Sequence, residues 1–401
     1  MLKNPKLLLI IILILAAFFR FFRIDYPKTY VFDEVYHAFT AKEYTLGHKE
    51  AWEWWTTPPP GVAYEWTHPP LAKEIMALSI TILNNSDPWA WRIPGVTISL
   101  FSIFFVYLIG IKLFQKESYA LISAFVFSLD GLNFVQSRTG MNDIYFVTFM
   151  LGSLYFLLGK RVFWSALFLG LSLASKWSAI YILPLFLILL LKERNMYKFL
   201  YYLVITPIVY LLTYLPFFLD GHSIEQFIHL QQQMWWYHTG LKATHNYSSP
   251  WWSWPLNLYP VWYFVEYSQD KMANIFAVGN FVVFWSGAIA LIITAFELVK
   301  KKSFNLLIPI LGFLFFWLPW AISPRIMFLY HFSPSIPFLS LILGYQLGRG
   351  FEEKNSRKLA IIILALIFIG FVLLYPYLTG VFLPRDFIKL FFLTNLSKNP
   401  F

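Results

Sequence analysis

The sequence predicts an all-α polytopic membrane protein, and three observations predict it. Of the 401 residues, 58% are hydrophobic and only 13% are charged, where a soluble domain carries roughly 25% charged residues. Mean hydropathy is +0.59. Apolar segments of about the ~20 residues a helix needs to cross a bilayer recur along the whole chain. The charges between those segments are distributed asymmetrically.

About eleven spans are expected, at 5–22, 93–114, 119–136, 141–159, 162–175, 177–191, 198–218, 274–298, 304–322, 332–348 and 359–380. Their arrangement suggests an N-terminal module over 1–218, with a long loop at 23–92, then a loop over 219–273 and a C-terminal four-span module over 274–401. The first long loop has helical character. Val35, Ala38 and Phe39 with Tyr44 suit a short interfacial helix over Asp33 to Leu46, and Pro70 opens a second helix over Ala72 to Leu83. The 43 Phe, 24 Tyr and 17 Trp suit a bilayer and its interfaces. With no Cys, disulfides and thiolate metal sites are excluded.

Orientation follows from Lys and Arg, which stay on the cytoplasmic side. With the N-terminus inside, the inner loops hold 16 of the 31 basic residues, from Lys3 to Lys358, and only five Glu. The inner face then carries about +11 and the outer face about −1 of the net +10. The excess positive charge therefore serves topology rather than nucleic acid. Both long loops fall outside. The first segment has no persuasive signal cleavage site and is read as an uncleaved span.

Asp33 and Glu34 sit just after that first span. Two adjacent carboxylates there are either a general base at the outer membrane surface or a solvated pair capping an interfacial helix. Arg138 and Asp143 lie in the turn after the third span, where charge is costly unless paired or functional. They would bridge one another, or Arg138 would pair with Asp130, or both would serve a site. Arg92, Lys176 and Arg325 stand at outer span ends, near His68 at a helix start. A lipid-borne phosphate would sit at this depth, although snorkelling to headgroups also places cations there. The outer segment 245–255 interleaves polar groups with Trp251, Trp252 and Trp254. It is an interfacial belt or a platform for a sugar or acceptor peptide, with Tyr36 added from the first loop. Glu34 and His37, spaced i, i+3, also permit a metal reading, which interfacial residues on one helix face do not require.

In their order along the chain, these motifs resemble a known family. They are Phe32-Asp33-Glu34-Val35-Tyr36, His68-Pro69-Pro70-Leu71-Ala72-Lys73, Trp91-Arg92-Ile93-Pro94, Ser137-Arg138 through Asp143, and Ser175-Lys176-Trp177. Tyr247 through Pro255 and Trp317-Leu318-Pro319-Trp320, with Pro324-Arg325 through His331, continue the likeness. The chain resembles the GT-C membrane glycosyltransferases, and most closely the dolichyl- or polyprenyl-phosphate-mannose protein O-mannosyltransferases. Its second long loop is too short for the β-trefoil insertion of eukaryotic members, so it looks like a minimal prokaryotic version.

The resemblance implies a GT-C fold in a prokaryotic cell membrane and an inverting transfer of mannose from a polyprenyl-phosphate donor. The acceptor would be a Ser or Thr hydroxyl of a secreted or translocating protein at the outer face. It implies Asp33 as base, Glu34 as an orienting residue and Asp143 as a second acid. Arg92 and His68, with the cations Arg138, Lys176 and Arg325, would serve the donor sugar and phosphate. No cofactor is required, with a divalent ion between Asp33 and Asp143 left open. Two rivals stand beside this reading. One is a related transferase moving another sugar, of the aminoarabinose type, onto a lipid. The other is a transporter or flippase, which would favour midplane charges and repeated halves that the sequence lacks.

Overall fold

The structure, a computed structural model, describes residues 4–194 and 196–390. Lys3 of the inner-loop charge set and residues 391–401 of the expected C-terminal module lie outside the described residues. Sixteen α-helices follow in order: α1 (Pro5–Phe21), α2 (His37–Thr45), α3 (Leu71–Leu83), α4 (Pro88–Phe114), α5 (Glu117–Ser128), α6 (Gly131–Arg138), α7 (Asp143–Leu158), α8 (Val162–Ser175), α9 (Leu183–Lys192), α10 (Phe199–Leu212), α11 (Leu215–Leu219), α12 (Ile224–Gly240), α13 (Phe281–Lys301), α14 (Phe304–Trp317), α15 (Ile336–Glu352) and α16 (Arg357–Thr379).

Local chemistry sets the boundaries. In α1, Pro5 stands in the first turn and Asn4 Oδ1 accepts from the Leu7 N–H, two ordinary N-terminal signals. Pro88 opens α4 in the same way. At α13, Asn280 caps the helix through the Val282 N–H and donates to the carbonyls of Leu129 and Ile367. One side chain thus joins three parts of the bundle. Close packing relies on small residues, as membrane helices do. A Cβ on Gly344 of α15 would lie 2.1 Å from Ser123 Oγ of α5.

Among the described residues, four helical stretches are long and apolar enough to cross a membrane by length and composition: 88–114, 281–301, 304–322 and 357–379. The span expected at 119–136 is instead α5 and α6, bent by 61° at Leu129–Asp130. Asp130 causes the break, because its carboxylate caps α6 by accepting from the Asn133 N–H at 2.8 Å. The segments 143–158, 162–175, 177–192 and 199–212 are shorter apolar helices, and the third begins as a 3₁₀ turn over Trp177–Ile182.

The fold is not purely helical. Strands β1 (Val261–Ser268), β2 (Lys271–Ala277) and β3 (Phe382–Pro384) form an antiparallel sheet in that order. Residues 274–277, expected to open a span, belong to β2, and the helix begins only at Phe281. Five consecutive β-formers in Val261-Trp262-Tyr263-Phe264-Val265 explain the strand. The loops 22–87 and 213–280 gather at one end of the bundle, where α2 packs on α3 and α3 on α4.

Candidate active site

Asp33 lies in a 3₁₀ turn, Phe32–Val35, between α1 and α2. Phe32 has φ +49°, a strained value for a non-glycine residue. Its ring stacks on Tyr263 with centroids 4.2 Å apart and planes 6° apart. That stack holds the strained turn which aims Asp33. The Asp33 side chain is partly exposed and accepts no hydrogen bond from any other described residue. Burial among protein atoms raises its pKa to about 7, with Glu65 and Asp143 adding to the rise. Lys176 and Arg325 pull it down.

Glu34 points the opposite way and is fully buried. Its carboxylate accepts from Arg92 Nε and Nη2 at 2.8 and 2.7 Å, Trp91 Nε1 at 3.1 Å, and the N–H groups of Gly140 and Val31 at 2.9 and 2.8 Å. Arg92 gives its remaining donors to the carbonyls of Ile24, Pro27 and Thr29. All five of its N–H donors are therefore used inside the protein. Arg138 caps the end of α1, donating to the carbonyls of Phe19, Arg20, Phe22 and Arg23. It pairs with neither Asp143 nor Asp130. As placed, Arg92 presents no free donor to a phosphate, the bonds of Arg138 go to backbone carbonyls, and Glu34 presents no free oxygen to a sugar or to a metal shared with His37.

Asp143 and Lys176 do meet. Asp143 opens α7, where the helix dipole favours an anion. Both its oxygens lie 2.9 Å from Lys176 Nζ at the end of α8. Lys176 also stands 5.8 Å from the ring centre of Tyr330. Arg325 completes the cationic side. It lies 5.7 Å from the Tyr237 ring centre and donates to His238 Nδ1. It also borders a cavity of about 500 Å³ lined by residues 243–246, 248–250 and 325–327.

His68 is sandwiched between His238, 4.9 Å away, and His37, 6.1 Å away. His238 Nε2 donates to the Thr67 carbonyl at 2.8 Å while Nδ1 accepts from Arg325, which fixes its neutral tautomer. Burial and then Arg325 lower its pKa to about 4. Burial does the same to His37 and holds His68 well below the usual histidine range. The positive charge facing Asp33 is thus that of Lys176 and Arg325, not of the histidines.

Glu65 escaped the sequence reading. It is buried beside His37, accepts from Thr67 Oγ1, and its carbonyl receives Lys73 Nζ. Its position three residues before His68 was the available signal. His238, Tyr263 and Tyr330 also gather here from elements distant in sequence. Of the expected aromatic platform, Trp254 is a core residue, fully buried, donating to Ser249 Oγ and packed on Trp320. Trp251 packs on Trp317, whereas Trp252 and Tyr36 are exposed. Among the described residues, no group of three or more His, Asp or Glu is placed to hold a metal ion.

The fold is that of the membrane glycosyltransferases of the GT-C class. The chain superposes on the S. cerevisiae protein O-mannosyltransferase Pmt1–Pmt2 complex bound to the sugar donor, with TM-score 0.80, 13% identity, and coverage of 99% of this chain and 92% of that one. It also superposes on ArnT from Cupriavidus metallidurans bound to undecaprenyl phosphate, with TM-score 0.65, 15% identity, and coverage of 89% and 63%.

Within that class the chain belongs to the protein O-mannosyltransferase family and is a mannosyltransferase. Residues 67–218 match the dolichyl-phosphate-mannose-protein mannosyltransferase family, and residues 223–390 match the C-terminal four-span region of protein O-mannosyltransferases. The polyprenol-phosphate-mannose–protein mannosyltransferase of Mycobacterium tuberculosis is 24% identical, over 78% of this chain and 77% of its own. That of Mycolicibacterium smegmatis is 22% identical, over 92% and 88%.

Proposed function

We propose that this enzyme transfers mannose, with inversion, from a polyprenyl-phosphate donor to Ser or Thr hydroxyls of translocating proteins at the outer membrane face. Asp33 is the general base. The observation that carries this is its carboxylate: partly exposed, free of hydrogen bonds from the described residues, and set between one buried acid–lysine pair and one arginine. It takes the hydroxyl proton as the acceptor oxygen attacks the anomeric carbon. The bond to the lipid phosphate breaks and the phosphate leaves as an anion. Such a group needs cations rather than an acid, and Lys176 and Arg325 are the two that face Asp33. Glu34 and Arg92 act one step removed, by holding the turn that carries Asp33. The names of the relatives, and the position of the site at the end of the bundle bearing the long loops, support the donor and the face.

The test uses purified enzyme in detergent with labelled polyprenyl-phosphate-mannose. Label entering a Ser/Thr peptide is expected, and label reaching only lipid overturns the reading.

A pH profile follows from Asp33. Only its ionised form accepts a proton, so kcat/KM should rise through about pH 7 and then level off. Glu65→Gln removes the strongest neighbouring charge raising that pKa, so the rising limb should move to lower pH. A limb unmoved by Glu65→Gln would detach it from Asp33.

A different substitution tests the cationic side. Lys176→Met leaves Asp143 buried without its partner and withdraws a charge that favours ionised Asp33. Transfer at pH 7 should fall about 100-fold or more, and the limb should move to higher pH, the opposite direction to Glu65→Gln.

A further inference from the structure

A second polar pocket lies at the end of the bundle far from Asp33. Helix α7 begins at Asp143 and α8 ends one residue before Lys176, so the turn that joins them at 159–161 stands a helix length from the site. Sixteen residues at ~1.5 Å each make that about 24 Å. There a cavity of about 650 Å³ opens between this turn and the start of α10, within the roughly 300–1,000 Å³ of ordinary ligand pockets. Its walls carry Lys160, Arg161 and Lys198, with Trp164, Tyr197 and Tyr201. Lys198 is paired with Glu193. Lys160 and Arg161 are exposed, and their side chains meet no partner among the described residues. The same holds for the hydroxyls of Tyr197 and Tyr201.

Tight packing of α8 on α10 holds these walls in place. Ser165 Oγ and the Tyr202 hydroxyl share a hydrogen bond at 2.7 Å, and Thr206 Oγ1 donates to the Ala166 carbonyl at 3.0 Å. A Cβ on Gly170 would lie 2.6 Å from that of Val209. The cavity also stands at the head of an apolar stripe. Val204, Ile208 and Leu211 follow Tyr201 along one face of α10, all of them exposed. Snorkelling alone brings cations to the end of a span. It does not set two unpaired cations and two phenols around a cavity that opens onto an apolar stripe. A free anion would use the cations, but only a lipid would use the stripe as well.

We propose that this pocket binds the headgroup of an anionic phospholipid from the leaflet on that side of the membrane. Its phosphate meets Lys160 and Arg161, the polar groups beside the phosphate meet the two phenols, and an acyl chain follows α10. Basic pockets between membrane helices take anionic headgroups in this way, and Tyr and Trp favour the same depth.

The test titrates full-length enzyme in neutral detergent with dioleoylphosphatidylglycerol and reads bound lipid by native mass spectrometry. Lys160→Gln combined with Arg161→Gln should weaken the tightest binding about 25-fold, from about fivefold per cation. The unfolding temperature without lipid should stay the same, because neither side chain has a partner to lose. Lys300→Gln combined with Lys302→Gln removes two exposed charges from the same end of the bundle, at the close of α13, and should leave the affinity unchanged. Equal weakening by the two pairs would reduce the effect to diffuse attraction and overturn the site. Dioleoylphosphatidylcholine binding as tightly as the anionic lipid would overturn it too. Inorganic phosphate should displace the lipid no better than chloride at equal ionic strength. Displacement by phosphate alone would make this a pocket for a free anion and end the lipid assignment.

Discussion

Asp33→Asn should lower transfer from polyprenyl-phosphate-mannose by 10² to 10⁴-fold, the usual contribution of a positioned general base, while the protein inserts and folds as before. The substitution keeps the shape of the side chain and removes its ability to accept a proton. Stability should not suffer, and the sign can be worked out. Folding raises the Asp33 pKa from 3.8 to about 7, so the site prefers the neutral acid. That preference favours the folded state fully below about pH 3.8 and is lost as pH rises towards 7. At pH 8 the ionised carboxylate therefore opposes folding, and the neutral amide of Asn removes that opposition. The expected pair of results is an inactive variant whose unfolding temperature at pH 8 equals or exceeds that of wild type. Full activity would end the base assignment. Inactivity with a large loss of stability would show that the turn, and not the proton transfer, had failed.

Glu34→Gln should give the reverse pattern. Its carboxylate accepts five hydrogen bonds in a fully buried setting, two of them from Arg92. Removing one charge strands the other, at about 3–5 kcal/mol for a buried pair. Gln also brings an NH₂ where only acceptors fit. Thermal unfolding in detergent should show a large loss for Glu34→Gln and for Arg92→Met singly. The double variant should lose clearly less than the two singles combined, because it leaves no isolated buried charge. Simple additivity would contradict the clamp. Residual activity in whatever folded protein survives should show the same pH limb as wild type, because Asp33 itself is untouched.

The residues differ in how far their roles were legible in the sequence. Asp33, Asp143, Lys176 and Arg325 stood out because a charge at the end of an apolar segment is conspicuous, and the structure does bring them together. Arg92 and Arg138 stood out for the same reason but bond backbone carbonyls. Sequence position gives the depth of a guanidinium, not whether it meets a ligand or the frayed end of a helix. Asp130 looked odd within an apolar run and is an N-cap at a bend, a role its neighbour Gly131 hinted at. Glu65 and His238 gave little signal, since a single acid and a single histidine in long loops gain meaning only from the packing of α2, α3 and α12. The β1–β2 hairpin was hidden for another reason. In a chain this apolar, strand β-formers and the first turn of a membrane span look alike.

The Arg138 cap has a consequence for biogenesis. The carbonyls that end α1 are met by Arg138, and by Tyr375 at Phe19, side chains synthesised long after α1 leaves the ribosome. The Glu34 clamp likewise waits for Arg92 and Gly140. Until the chain extends past α6, the turn that bears Asp33 lacks both the Arg138 cap and the Gly140 bond to Glu34, whatever Arg92 of α4 supplies earlier. A chain that ends before Arg138 therefore carries Asp33 on a segment that lacks the contacts Arg138 makes to the end of α1.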